Sequence, residues 1–194
     1  MREARISRNT KETKISLYLN LDGSGKADIA TGIGFFDHML NNFARHGLFD
    51  LTLKAEGDLD VDTHHTIEDV GIVLGTAIKE AVGEKKGIVR YGSKLLPMDE
   101  SLVLCALDLC GRPYLVYELA LNREFVGNLE TEMIKEFFYA VSYTAEMNLH
   151  IKQLSGTNNH HLIEGAFKAF AKALDEAVQI DERISGVLST KGSL

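Results

Sequence analysis

The chain has 194 residues, 45% hydrophobic and 25% charged, with a formal net charge of −7 and a pI near 5.5. That length fits about one domain, and the composition excludes disorder, collagen-like repeats and coiled coil as the main architecture. The acidic balance repels phosphate backbones, so nucleic acid is not an expected partner.

The N-terminal stretch MREARISRNTKETK is charged and has no apolar run behind it, so it does not read as a signal peptide. Segment 5–23 follows as an extended stretch, with Ile15, Leu17, Leu19 and Leu21 alternating at period two. KADIATG (26–32) reads as a second strand, GFFDHMLNNFARHGLF (34–49) as a helix, and LFDLTLKAEG (48–57) as a strand. The amphipathic stretch 63–83, THHTIEDVGIVLGTAIKEAVG, closes this half as a second helix. It contains the longest apolar run, Gly71 to Ile78, far short of the roughly 20 residues a bilayer span needs. No membrane is expected, and the location expected is the cytoplasm.

The same order then returns. SLVLCALDLC (101–110) and PYLVYELAL (113–121) read as strands around the turn Gly111-Arg112-Pro113. EFFYAVSYTAEMNLHI (136–151) enters on Phe-Phe as 34–49 does, NLHIKQLSG (148–156) alternates, and NHHLIEGAFKAFAKALDEAVQ (159–179) repeats the pattern of 63–83. Apolar residues at spacings of three and four, such as Phe167, Phe170, Ala171 and Leu174, mark the helices. Self-similarity of this kind indicates a duplicated unit. The expectation is a single α+β domain over 1–194 with an internal repeat, 1–91 and 92–184, and a C-terminal tail, 185–194. Each half reads strand, strand, helix, strand, helix, with four helices packed between two mostly four-stranded sheets. Cys105 and Cys110 have neither disulfide-framework nor metal-knuckle spacing and read as packed thiols in a reducing compartment.

Each repeat carries His-His-x-x-Glu: His64, His65 and Glu68, then His160, His161 and Glu164. Seven histidines and sixteen glutamates in this length predict about 0.02 chance copies, so two copies are a signal. On a helix the first His and the Glu lie about 40° apart, one turn along, whereas the two histidines diverge by about 100°. Adjacent rings therefore serve different ions, which implies two metal sites sharing ligands from both motifs. Imidazole and carboxylate without thiolate suit manganese, iron or zinc. His38, after Gly-Ile-Gly-Phe-Phe-Asp, is a further candidate ligand, whereas His46 and His150 taken alone read as packed imidazoles. Arg90, Arg112, Ser189 and Lys191 lie in turns or the tail and are candidates for holding an anion.

The segments LDGSGKADIATGIGFFDHML, GLFDLTLKAEGDLDVDTHHTIEDVGIVLG, PMDESLV, DLCGRPY, LHIKQLSGTNNHHLIEGAFKAFAKAL and STKG occur in order along nearly the whole chain. Together they resemble the imidazoleglycerol-phosphate dehydratase family of histidine biosynthesis, in its monofunctional form. The resemblance implies a ribosomal protein S5 domain 2-like fold and two Mn²⁺ ions per active site. It also implies a homo-oligomer of 24 subunits with sites between chains, and loss of water from a small phosphorylated imidazole, D-erythro-imidazole glycerol phosphate. Carried onto this sequence, the metal ligands are His38, His64, His65, Glu68, His160, His161 and Glu164. Many relatives have a ligating His just before the second Phe-Phe; this chain has Glu136, whose carboxylate also suits Mn²⁺. Substrate contacts fall to Glu12, His38, His46, His64, Arg90, Arg112, His160, Ser189 and Lys191. Glu12 is the candidate proton-transfer group and Asp99 the second choice, with Glu68 and Glu164 also counted among the catalytic residues. A di-metal hydrolase and a metal-storage shell are the competing classes. The first usually draws on Asp-rich ligand sets, and the second needs no phosphate clamp.

Overall fold

The computed structural model describes residues 2–194. The first half runs β1 (Glu3–Asn9), β2 (Thr13–Asn20), β3 (Ala27–Ala30), α1 (Gly34–Gly47), β4 (Asp50–Gly57) and α2 (His64–Val82). The second runs β5 (Tyr91–Met98), β6 (Ser101–Asp108), β7 (Tyr114–Glu118), β8 (Phe125–Val126), β9 (Leu129–Glu130), α3 (Met133–Thr144), β10 (Asn148–Ser155) and α4 (Asn159–Val178). Two four-stranded sheets form, in the orders β1-β2-β4-β3 and β5-β6-β10-β7, with β8 and β9 as a small separate hairpin. In both large sheets the first three strands in the order pair antiparallel and the last pairs parallel. The fold is α+β, with all four helices between the sheets. Among the described residues no helix is long and apolar enough to cross a membrane.

Each large sheet has one strand more before the first helix of its half than the sequence pattern suggests, and the second half adds the small β8–β9 hairpin. The expected single stretch 5–23 is a hairpin, because Thr10 Oγ1 accepts from the amides of Glu12 (3.1 Å) and Thr13 (2.9 Å) and turns the chain with neither Gly nor Pro. In the second half β5 spans 91–98 despite Gly92 and Pro97. It is an edge strand, where proline is tolerated, and a glycine is required. A Cβ at Gly92 would run into the Ala173 carbonyl of α4.

The helices meet across the halves, α1 against α4 and α2 against α3. Phe43 stacks on Phe170 at 5.5 Å, Phe137 on Phe167 at 5.1 Å, and Phe36 meets Phe137 edge-on at 5.3 Å. Such ring pairs contribute about 0.5–1.5 kcal/mol each beyond their burial. Gly71 lets α2 approach α3 closely, since a Cβ there would sit 2.9 Å from both Ala140 Cβ and the Phe137 carbonyl. The buried apolar residues of both halves belong to one cluster, so neither half has a core of its own.

Gly92→Ala is therefore expected to lower the unfolding free energy by about 1–3 kcal/mol, the cost of overpacking against backbone. Urea denaturation at matched protein concentration measures this, and an unchanged midpoint contradicts the role assigned to Gly92.

Candidate functional site

The N-termini of α2 and α4 carry the two His-His-x-x-Glu segments, and each end is fixed by a short polar side chain. Asn158 Oδ1 accepts from the amides of His160 (3.0 Å) and His161 (3.4 Å), an N-cap. At α2, Asp62 Oδ1 accepts from the His64 amide at 2.8 Å, and the Thr63 hydroxyl donates to Glu130 of β9 at 2.6 Å. In both pairs the adjacent rings diverge, with centroids 6.1 Å apart and planes at 70° and 79°.

Because α1 packs on α4, His38 arrives beside the second motif. Its Nε2 lies 3.3 Å from Glu164 Oε2, and His160 Nε2 lies 3.0 Å from the same oxygen. Ligand atoms of His38, His160 and Glu164 all fall within 4.8 Å of one another, the one such group among the described residues. Two imidazoles and a carboxylate at that spacing fit a borderline divalent ion. Glu164 is buried, and its other oxygen meets Lys168 Nζ at 2.5 Å. Burial pushes its carboxyl up, but Lys168, His160 and His38 outweigh this and hold it below the usual range.

The first motif is more open. His64 Nε2 lies 3.6 Å from Glu68 Oε2, with both side chains about half exposed. Glu136 is not drawn into this group; it lines a groove with Leu115, Tyr117, Lys135 and Tyr139. His46, further along α1, is partly buried. Desolvation and then Lys168 hold its pKa below the ordinary histidine value, which favours the neutral ring. His150 projects from the middle of β10, opposite Ala106 and Val116.

The second histidine of each motif has a different, matching environment. His65 Nδ1 meets Asp58 at 3.0 Å while its Nε2 faces Glu12 at 3.9 Å. His161 Nδ1 meets Glu100 at 2.8 Å while its Nε2 faces Asp99 at 3.7 Å. Asp58 and Glu100 each raise the pKa of their histidine, and Glu100 is in turn held far below the usual carboxylate range by His161. A carboxylate accepting Nδ1–H fixes the tautomer and leaves the Nε2 lone pair free for a metal ion. Asp58 and Glu100 were not singled out in the sequence. Their only signal is position, each in a loop at the end of a strand, with no periodicity to mark them.

Glu12 sits in the β1–β2 turn, which is tied down from below. The Thr13 hydroxyl donates to the buried Asp69 of α2 at 2.5 Å, and Arg8 lies 2.9 Å from the other Asp69 oxygen. Asp99 occupies the corresponding β5–β6 turn, with a left-handed φ of 50°.

Arg90, Arg112, Ser189 and Lys191, from three distant stretches, line one cleft of about 770 Å³, together with Arg183. Asp108 orients Arg90 through bonds of 2.7 and 3.0 Å, and Arg90 also donates to the Leu188 carbonyl at 2.7 Å. The cleft lies at the far end of α4, where the Arg90 amide donates to the Ala177 carbonyl. His160 and Ala177 are about 25 Å apart along the helix at 1.5 Å per residue.

A family model for imidazoleglycerol-phosphate dehydratase matches residues 31–174. The imidazoleglycerol-phosphate dehydratase of Lachnoclostridium phytofermentans is 68% identical over 100% of this chain and 98% of that protein. The protein of the same name from Acetivibrio thermocellus is 63% identical, over 100% and 99%. The crystal structure of imidazoleglycerol-phosphate dehydratase from Staphylococcus aureus superposes with a TM-score of 0.84 at 38% identity, covering 92% of this chain and 99% of that one. The Pyrococcus furiosus structure, in complex with (S)-C348, gives 0.84 at 37%, covering 97% and 100%.

Replacing Asp58 with Asn and Glu100 with Gln together is expected to weaken divalent-ion binding about tenfold or more. Calorimetric titration with Mn²⁺ checks it, and unaltered affinity contradicts the orienting role of the two carboxylates.

Proposed function

Because the chain belongs to the imidazoleglycerol-phosphate dehydratase family, a hydro-lyase family of histidine biosynthesis, we propose that it converts D-erythro-imidazole glycerol phosphate to imidazole acetol phosphate and water, using two Mn²⁺ ions per active site. The observation that carries this reading is a pair of chemically distinct clusters, one of imidazole and carboxylate ligands and one of arginines and a lysine. They match the two ends of that substrate, an imidazole ring and a phosphate.

His38, His160 and Glu164 would hold one ion. His64, His65, Glu68 and His161 are the candidates for the remaining positions, with Glu136 as a carboxylate in place of a histidine. When bound, Mn²⁺ supplies Lewis-acid polarisation of the substrate's imidazole. The protein's own groups do the rest. Arg90, Arg112, Ser189 and Lys191 grip the phosphate by charge-assisted hydrogen bonds and so fix the orientation of the molecule. His46, as a neutral ring, offers a further substrate contact. Glu12, on a turn pinned through Thr13 and Arg8 to Asp69, takes the carbon-bound proton from the middle carbon of the glycerol chain. The hydroxyl on the carbon beside the imidazole departs as water, taking up the proton that Glu12 removed, and leaves an enol that tautomerises to the ketone on the middle carbon. Asp99, facing His161 from the equivalent turn, is an orienting residue by this reading.

The about 25 Å between His160 and Ala177 along α4 exceeds the length of such a substrate. One chain's ligand cluster and its own cleft cannot serve the same molecule. This supports an assembly of copies, 24 by the family resemblance, with each site completed by a neighbour. A charge of −7 supports a protein without nucleic-acid partners, and we place it in the cytoplasm without membrane attachment.

Arg112→Ala is expected to lower kcat/KM for imidazole glycerol phosphate by about one to two orders of magnitude, the loss of one charge-assisted contact. Metal content should stay at the wild-type level. Ultraviolet detection of the ketone product, with elemental analysis of the same sample, measures both. Wild-type kinetics in this variant contradict the clamp.

A further inference from the structure

The two halves are not equal copies. In the first, residues 31–33 lead from β3 to α1; in the second, the much longer stretch 119–132 leads from β7 to α3. The added length holds the β8–β9 hairpin, and its polar contacts fall beside both histidine motifs. Asn159, the residue before His160, is buried. In the amide orientation that satisfies both of its ends, Oδ1 accepts from the amides of Asn122 (3.2 Å) and Arg123 (2.8 Å), and Nδ2 donates to Asn122 Oδ1 (2.9 Å). Glu130 Oε2 accepts from the hydroxyl of Thr63, the residue before His64, at 2.6 Å and from its amide at 3.4 Å. Between these ties the turn at Gly127 lies against Phe35, whose ring meets His160 edge-on at 5.0 Å.

The hairpin is itself held firmly. The Thr131 hydroxyl donates to the Arg123 carbonyl at 2.6 Å, the Thr131 amide donates to the Glu124 carbonyl at 2.8 Å, and Leu129 is fully buried in the shared core. The two motif helices depend on it unequally. Asn158 caps α4 from within its own chain segment. Thr63, the N-cap of α2, makes no such bond and spends its hydroxyl outward on Glu130, 67 positions away. A carboxylate there also faces the positive end of α2. The start of α2, from which His64 and His65 diverge, is therefore fixed from the other half of the chain.

We propose that Glu130 is a positioning residue for the first motif: through Thr63 it sets where His64 and His65 stand relative to His38 and His160, on the opposite side of the same hairpin. This rests on the metal reading above. Ligand sets have to be held to within about 0.5 Å, and one anchored hydrogen bond at the root of two ligands serves that end.

Calorimetric titration of the full chain with Mn²⁺, at matched protein concentration, tests it. E130A is expected to weaken Mn²⁺ binding about tenfold or more. E130Q keeps an acceptor for the Thr63 hydroxyl and is expected to recover most of that loss. T63V removes the donor from the other side and is expected to weaken binding alike. The double variant E130A/T63V should then be no weaker than E130A, because the two residues make one contact. A hairpin that served stability alone would lower the urea midpoint of E130A and leave its Mn²⁺ affinity intact, which overturns the proposal. So does an E130Q protein as weak as E130A, where charge and not the contact would be at work, and so do losses that add in the double variant. Should E130A fail to fold, T63V against T63S decides, since serine keeps the hydroxyl; equal affinities overturn the contact. A wild type that takes up no Mn²⁺ overturns the metal reading itself and this inference with it.

Discussion

Phe43 stacks on Phe170, Phe36 meets Phe167 edge-on, and through these rings a helix from the first half is locked against a helix from the second. Everything at the candidate centre depends on this contact of α1 with α4. It carries His38 to within 3.3 Å of Glu164, a residue 126 positions away in the chain, and so joins ligands that no local spacing could bring together. The α2–α3 contact, made close by Gly71 and Gly75, completes the helical layer from the other side. Neither half could form such a centre alone, because each contributes only part of the shared core.

Duplication has left a symmetric frame with asymmetric contents. The frame is visible in the paired histidines: His65 between Asp58 and Glu12, His161 between Glu100 and Asp99, each with one ring nitrogen anchored and the other free. The contents differ one turn further along. Glu164 is buried and balanced by Lys168, whereas Glu68 is 43% exposed and has Ile72 at the corresponding step. Removing a carboxylate from water without a partner cation is costly, so the closed position of Glu164 requires Lys168, and the open position of Glu68 does not need one. The outer sheet faces diverge too: the row Arg5–Tyr18–Thr52–Asp28 of the first sheet has Leu95–Leu104–Lys152–Glu118 as its counterpart in the second. A duplicated chain is free to differentiate wherever the pairing of the halves does not fix the residue.

What the sequence reveals and what it hides follow from range. The 3.6-residue period and the His-His-x-x-Glu spacing are local, so the helices and the divergence of adjacent rings can be read directly, and α2 and α4 fall within a residue or two of the patterns that announce them. The β1–β2 turn could not be read, because a threonine side chain makes it where glycine or proline would have marked it. The strand β5 was obscured by Gly92 and Pro97, whose tolerance depends on an edge position and on a close helix, both tertiary facts. Asp58 and Glu100 were invisible for the same reason, since orienting a histidine requires only proximity in space. The convergence of Arg90, Arg112 and Lys191 on one cleft had no basis in spacing at all.

The central claim is that the ligand cluster of one chain and the arginine cleft of another serve a single substrate molecule. Mixing two impaired proteins addresses it most directly: one carrying His160→Ala, the other Arg112→Ala, dissociated with chelator, combined and returned to Mn²⁺. A site shared between chains regains activity well above the sum of the two separate proteins, because some sites then draw an intact histidine cluster and an intact arginine from different copies. A mixture no more active than its components would show that each chain builds its site alone.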